Sequence, residues 1–252
     1  MPAVIAKPKW AEVVDRINPE LENEVPNQLV IERARRDGDK LIANFRTRAE
    51  GHHILGMVAT LQIQPDKVVE HFEKAIAAET SRAIEGNALL SYWRLGLFAK
   101  AVELAERFLT TYRDDIERLE QAMHALADSC QFGRAVVAIE ALRKLGKDIP
   151  RSWVENHYGD FANALERASA DERDLIPIME LAASVPIEHG KPIRGILFSI
   201  AQEGRLAVSF TIDGDVDELV DINFAIADRL AAGNINTFAS VITLSCAPYP
   251  RS

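Results

Sequence analysis

Residues 87–109 read NALLSYWRLGLFAKAVELAERFL, and this stretch decides the fold. Apolar residues recur every three or four positions on both sides of Gly96, the mark of two amphipathic helices joined by a turn. Gly96 sits where the chain must reverse. Phe98 is placed to plug the gap between the helices. Ala101 and Ala105 are small enough to let two helix backbones approach closely.

The same arrangement repeats on either side. Segments 49–78, 82–112 and 116–145 align so that Val68, Ala101 and Ala135 coincide, as do Ala75, Phe108 and Leu142. The first set is spaced 33 (68 to 101) and then 34 (101 to 135) residues apart. The third unit, CQFGRAVVAIEAL from Cys130, keeps Phe132 and Ala135 but has Cys130 in place of the turn glycine. The first unit keeps Gly56 and Ala75, has Ile63 where the glycine would stand, and turns at Gln64-Pro65-Asp66.

In spacing and in its Gly-x-aromatic-x-x-Ala signature, the stretch resembles the tetratricopeptide repeat over roughly residues 49–146. No unit carries the full Trp-x-x-Leu-Gly-x-x-Tyr pattern, so the resemblance is to a degenerate form. It implies a mostly α protein, an α-solenoid of antiparallel helix pairs. A concave wall lined by each first helix would grip a peptide or partner helix. The positions it assigns to that wall are His53 and Met57 in the first unit, with Glu50 and Thr60 beside them. Leu90, Trp93 and Arg94 follow in the second, and Glu117, Glu120, His124 and Asp128 in the third. Trp93 and Arg94 are of the types enriched at binding hot spots, although Trp93 is equally suited to burial between helices. The acidic set in the third unit favours a basic peptide.

Beyond residue 190 the period changes from helical to two. Leu206, Val208, Phe210 and Ile212 alternate with Ala207, Ser209 and Thr211, which predicts a half-buried strand. Glu203-Gly204 turns it back against 196–200. Asp215 and Glu218 then predict a capped helix carrying Leu219, Ile222, Ile226 and Leu230, closed by Gly233. A last strand is expected over 237–246. The predicted organisation is N-terminal helices over 1–48, the repeat over 49–188 and a small ββαβ domain over 189–252. Three strands leave unpaired edges, so this domain is expected to dock on the last helices or to pair with a second copy as a homodimer.

Composition narrows the function. With 48% hydrophobic and 27% charged residues the chain is globular rather than disordered. A formal net charge of -9 argues against duplex nucleic acid as the main ligand. The basic residues between Arg33 and Arg48 alternate with acids, as on a solvated helix face. The two cysteines are unpaired in spacing and suit a reducing compartment, and no signal peptide or spanning segment is evident, so the cytoplasm is the expected location.

No catalytic, cofactor or metal motif emerges from the six histidines or the acids. His52 and His53 point about 100° apart on a helix and do not share an ion. Asp213, Asp215 and Asp217 open like a calcium loop, but Glu218 replaces its glycine and Phe224 its final carboxylate. The expectation is therefore a scaffold or adaptor without enzymatic activity. One rival is a regulatory or nucleic-acid-associated protein that uses the repeat as a sensor. The other is an enzyme with His157, Glu188, His189 and Asp213 meeting at the junction before the C-terminal domain.

Overall fold

The computed structural model describes residues 8–154, 158–201, 204–233 and 241–250, without the side chains of 152 and 153. The chain is mostly α, with a small α+β part at its C-terminal end. It divides into two compact units, Met1–Ser91 and Tyr92–Ser252.

The first unit contains α1 (Lys9–Glu22), α2 (Gln28–Ile42), α3 (Arg48–Leu61), α4 (Pro65–Ala78) and most of α5 (Arg82–Arg94). Short joins make consecutive helices neighbours. Glu20 accepts from the Asn27 backbone N–H at 2.7 Å, and the Asn27 side chain in turn caps α2 through Leu29 N–H at 3.0 Å. Helix α3 is the core of the unit. Every residue from Gly51 to Thr60 is buried, because α1, α2 and α4 pack around it. Gly56 makes this possible on the α4 side, where a Cβ would stand 2.8 Å from the Phe72 ring.

The second unit begins within α5 and holds α6 (Phe98–Thr111), α7 (Ile116–Asp128) and α8 (Phe132–Lys144). The short α9 (Arg151–Val154), α10 (Asp160–Arg167) and α11 (Glu172–Glu188) follow. The helix boundaries carry the repeat. First helices start at 48, 82 and 116, a spacing of 34 each time; second helices start at 65, 98 and 132, spaced 33 and 34. Val68, Ala101 and Ala135 are fully buried at the fourth position of their helices, and Ala75, Phe108 and Leu142 at the eleventh.

The turns also repeat in backbone detail. Ile63, Gly96 and Cys130 all take positive φ, at 52°, 67° and 58°. The next amide closes back to the third-last residue of the helix: Gln64 to Ala59, Leu97 to Tyr92 and Gln131 to Leu126, at 2.8–2.9 Å. This is the Schellman end, which satisfies carbonyls the helix leaves open. The glycine expected from the sequence is therefore a conformational requirement, and Ile63 and Cys130 meet it under strain. Gly96 has a second reason, since a Cβ there would stand 2.6 Å from that of Ala183 on α11.

The C-terminal part runs β1 (Gly195–Ile200), β2 (Leu206–Ile212), α12 (Val216–Ala232) and β3 (Ile242–Pro248), the expected strand, strand, helix, strand order. β2 lies in the middle, antiparallel to β1 with Ile196 opposite Phe210, and parallel to β3 with Leu206 opposite Ile242. A parallel neighbour needs a crossover, and α12 supplies it. Leu206, Val208, Phe210 and Ile212 are fully buried. Phe210 stacks on Phe98 of α6 at 6.0 Å, and Phe198 meets Phe132 of α8 edge-on at 5.5 Å. The sheet thus docks on helices of its own unit. Asp215 and Glu218 form the capping box expected for α12. Asn223 reaches from α12 to β3, accepting from Cys246 N–H at 2.6 Å and donating to its carbonyl at 3.1 Å.

Two expectations change. Strand β3 runs later than predicted, over 242–248, while 234–240 and Glu203 lie outside the described residues. Gly233 does end α12, but at φ -74° rather than in the left-handed region, so its role is not that of a Schellman glycine.

Candidate partner-binding face

Helix α7 is amphipathic by construction. Leu119, Ala122, Met123 and Leu126 face the core. Glu117, Gln121, His124 and Asp128, spaced by four, three and four residues, share the opposite face, with Glu120 beside them. Asp115 caps the helix by accepting from Arg118 N–H at 3.3 Å. Glu117 and His124 are exposed, Glu120 and Gln121 half-buried. Glu120 pairs with Lys147, and Gln121 bonds Arg118 and, at 3.5 Å, Glu117.

The ridge ends in a less solvated corner. Burial pushes the Asp128 carboxyl up to about 7. The indole N–H of half-buried Trp93 lies close enough to favour the ionised form, without closing a hydrogen bond of ordinary geometry. Burial and the nearby Asp128 charge push the Tyr158 hydroxyl up to about 12. Cys130 is fully buried and its thiol is held well above its usual value, which makes it inert as a nucleophile. A ridge with Glu117 and His124 exposed that leads to a half-buried indole and a carboxyl poised near neutrality can accept a cationic or hydrogen-bond-donating group from a partner.

The other residues of the expected wall are placed differently. His53 is fully buried: its Nε2 meets Asn87 Nδ2 at 2.8 Å, and its ring lies 6.2 Å from Trp10 of α1. Met57 is 1% exposed and accepts from Asn87 at 3.5 Å. Arg94 is also buried, and its carbonyl accepts from Ile193 N–H at 2.9 Å. These three belong to the core and drop out of a partner surface. They are covered because the chain supplies its own neighbours at those positions, α1 among them. Leu90 remains exposed, at 41%.

Of the residues for a junction site, Glu188 is bound by Arg229 at 2.7 Å and Asp213 by Arg194 at 2.7 Å. His189 caps α11, and His157 lies outside the described residues. Ion pairs therefore account for both carboxylates. His52 does not pair with His53 but with His71 of α4, Nδ1 to Nδ1, at 3.1 Å. Among the described residues no three His, Cys, Asp or Glu side chains stand close enough to hold a metal ion, and no helix is long and apolar enough to cross a membrane.

Sequence reasoning missed Gln121 in the ridge and the buried character of its Asp128 end. The spacing from Glu117 and His124 was a usable signal for the first. Nothing local signals the second, which depends on what packs over the end of α7. Comparison with protein families, curated proteins and solved structures finds no match, so the likeness to tetratricopeptide repeats rests on residues and packing alone.

Proposed function

We propose that the protein is a non-catalytic interaction protein of the tetratricopeptide-like kind. It holds a partner polypeptide against the open face of its helix pairs, and its α+β part serves for docking. The observation that carries this reading is the outer face of α7. Glu117 and His124 are exposed on α7, where Glu117 meets Gln121 and Arg118 of the same helix, and they lead to half-buried Trp93 and Asp128. A basic segment of the partner suits this face by charge. The two free cysteines, Cys130 and Cys246, support a reducing compartment such as the cytoplasm.

The test is an affinity capture from native lysate with wild type beside Glu117→Lys and His124→Lys, both at exposed positions, and Trp93→Ala. A partner held by this face is lost in all three variants, while their unfolding temperatures stay near that of wild type for the two surface changes. Retention of every captured protein by Glu117→Lys and His124→Lys would remove α7 as the binding face.

A further inference from the structure

Helix α12 buries Leu219, Ile222 and Ile226 against the sheet and α11. Its opposite face is also apolar. Val216 is 74% exposed, Val220 45% and Phe224 68%, and Ala227 and Ala231 continue the line in exposed positions. At about 100° per residue these five side chains fall within roughly 40° of one meridian, along about four turns. From Val220 the spacing is four, three, four, the seam spacing of two packed helices. A helix in contact with water on this face has no use for Val and Phe there, and contiguous exposed apolar surface marks an interaction site.

The charge around the stripe is one-sided. Asp217, Asp221 and Asp228 are all exposed and lie roughly 60–100° to one side of the meridian. They pair with no described cation. The other side is closed by Asn223, which binds β3, and by half-buried Leu230. Arg229, the helix's one basic residue, points away from the stripe and is held by Glu188. A second copy laid along this face would bring its own aspartates and no free cation. Charge complementarity selects a different occupant.

We propose that the outer face of α12 is the docking surface for an amphipathic helix of a partner protein, with Lys or Arg along one edge of its apolar ridge. This names the partner class for the docking role given above to the α+β part and rests on that role. Its apolar ridge would meet Val220 and Phe224, and its basic edge would meet Asp217, Asp221 and Asp228.

The probe is a synthetic helical peptide of Leu, Ala and Lys, with Leu on one face and Lys along one edge. It is compared with a permuted peptide of the same composition and with a version carrying Glu for Lys. Binding to the full chain is read by fluorescence anisotropy at low and raised salt, beside light scattering over a range of protein concentration. The patterned basic peptide is expected to bind at least about tenfold more tightly than either control. Phe224→Lys and Val220→Lys, at exposed positions and checked by circular dichroism, each lose that advantage. The triple change Asp217→Asn, Asp221→Asn, Asp228→Asn weakens binding and flattens its salt dependence. Equal binding of the permuted peptide, or binding indifferent to Phe224→Lys, overturns the proposal. So does a concentration-dependent dimer of wild type that Phe224→Lys abolishes, since the face would then belong to a second copy. Either failure is separable from failure of the α7 reading, because the capture experiment leaves α12 unchanged.

Discussion

Helices α3 and α7 open the first and third pairs of one 34-residue frame, yet they live in different surroundings. In α3 an unbroken run of ten residues, 51–60, is buried, and the positions expected to meet a partner meet α1 and Asn87 instead. In α7 the equivalent side keeps Glu117 and His124 toward water. The same periodic scaffold thus serves as core where the chain provides extra helices and as surface where it does not. What a repeat position does depends on its neighbours, not on the repeat.

That contrast has measurable edges. Removing the ring that α3 packs against, Phe72→Ala, is expected to cost about 3–5 kcal/mol in denaturant unfolding. His124→Ala on α7 should stay within about 0.5 kcal/mol. Similar losses for both would erase the distinction.

Acid should expose the buried side next. Desolvation lowers His53 to about 4 from 6.5. Its contribution is fully present above pH 6.5 and is lost as the pH drops toward 4, because the unfolded chain takes the proton first. The loss approaches about 3 kcal/mol, and His53→Gln should remove that part of the acid sensitivity. Urea midpoints of the two proteins across this range give the comparison.

Asp128 on α7 has the opposite sign. Its carboxyl is raised from 3.8 to about 7, so the native state is penalised progressively as the pH rises between those values. Asp128→Asn is expected to be more stable than wild type at pH 8 by about 1–2 kcal/mol and no more stable at pH 4. A cationic partner would relieve the same penalty, so binding should release a proton near neutral pH.

The smallest effect concerns the helix ends. Ile63, which closes α3, is β-branched at φ 52°, and Ile63→Gly is expected to gain about 1 kcal/mol. Cys130, which closes α7, is fully buried at φ 58°. Cys130→Gly exchanges strain for lost packing and should be close to neutral, with thermal unfolding of both variants beside wild type as the check.

The periodic part of this protein was readable from residues alone, because Val68, Ala101 and Ala135 must be buried for helices to pack every thirty-odd residues. Capping by Asp215 and Glu218, and alternation in β2, are equally local signals and appear as expected. The candidate site was only half legible. Glu117 and His124 carry their exposure in α7's own amphipathicity. His53, Met57 and Arg94 do not, since their burial is decided by α1, α5 and the segment at Ile193, contacts distant in sequence. The α12 stripe of Val216, Val220 and Phe224 was not read from the sequence, because a helix with apolar residues on two sides reads as a buried one until its packing is known.

Asn223 has a consequence for solubility. A strand at the border of a sheet offers its free amides and carbonyls to any passing chain. With both groups of Cys246 occupied by one side-chain amide, β3 has a gap in that template near its middle, which a stranger's backbone cannot bridge in register. A single residue on a helix thereby guards the rim of the sheet against fibrous growth.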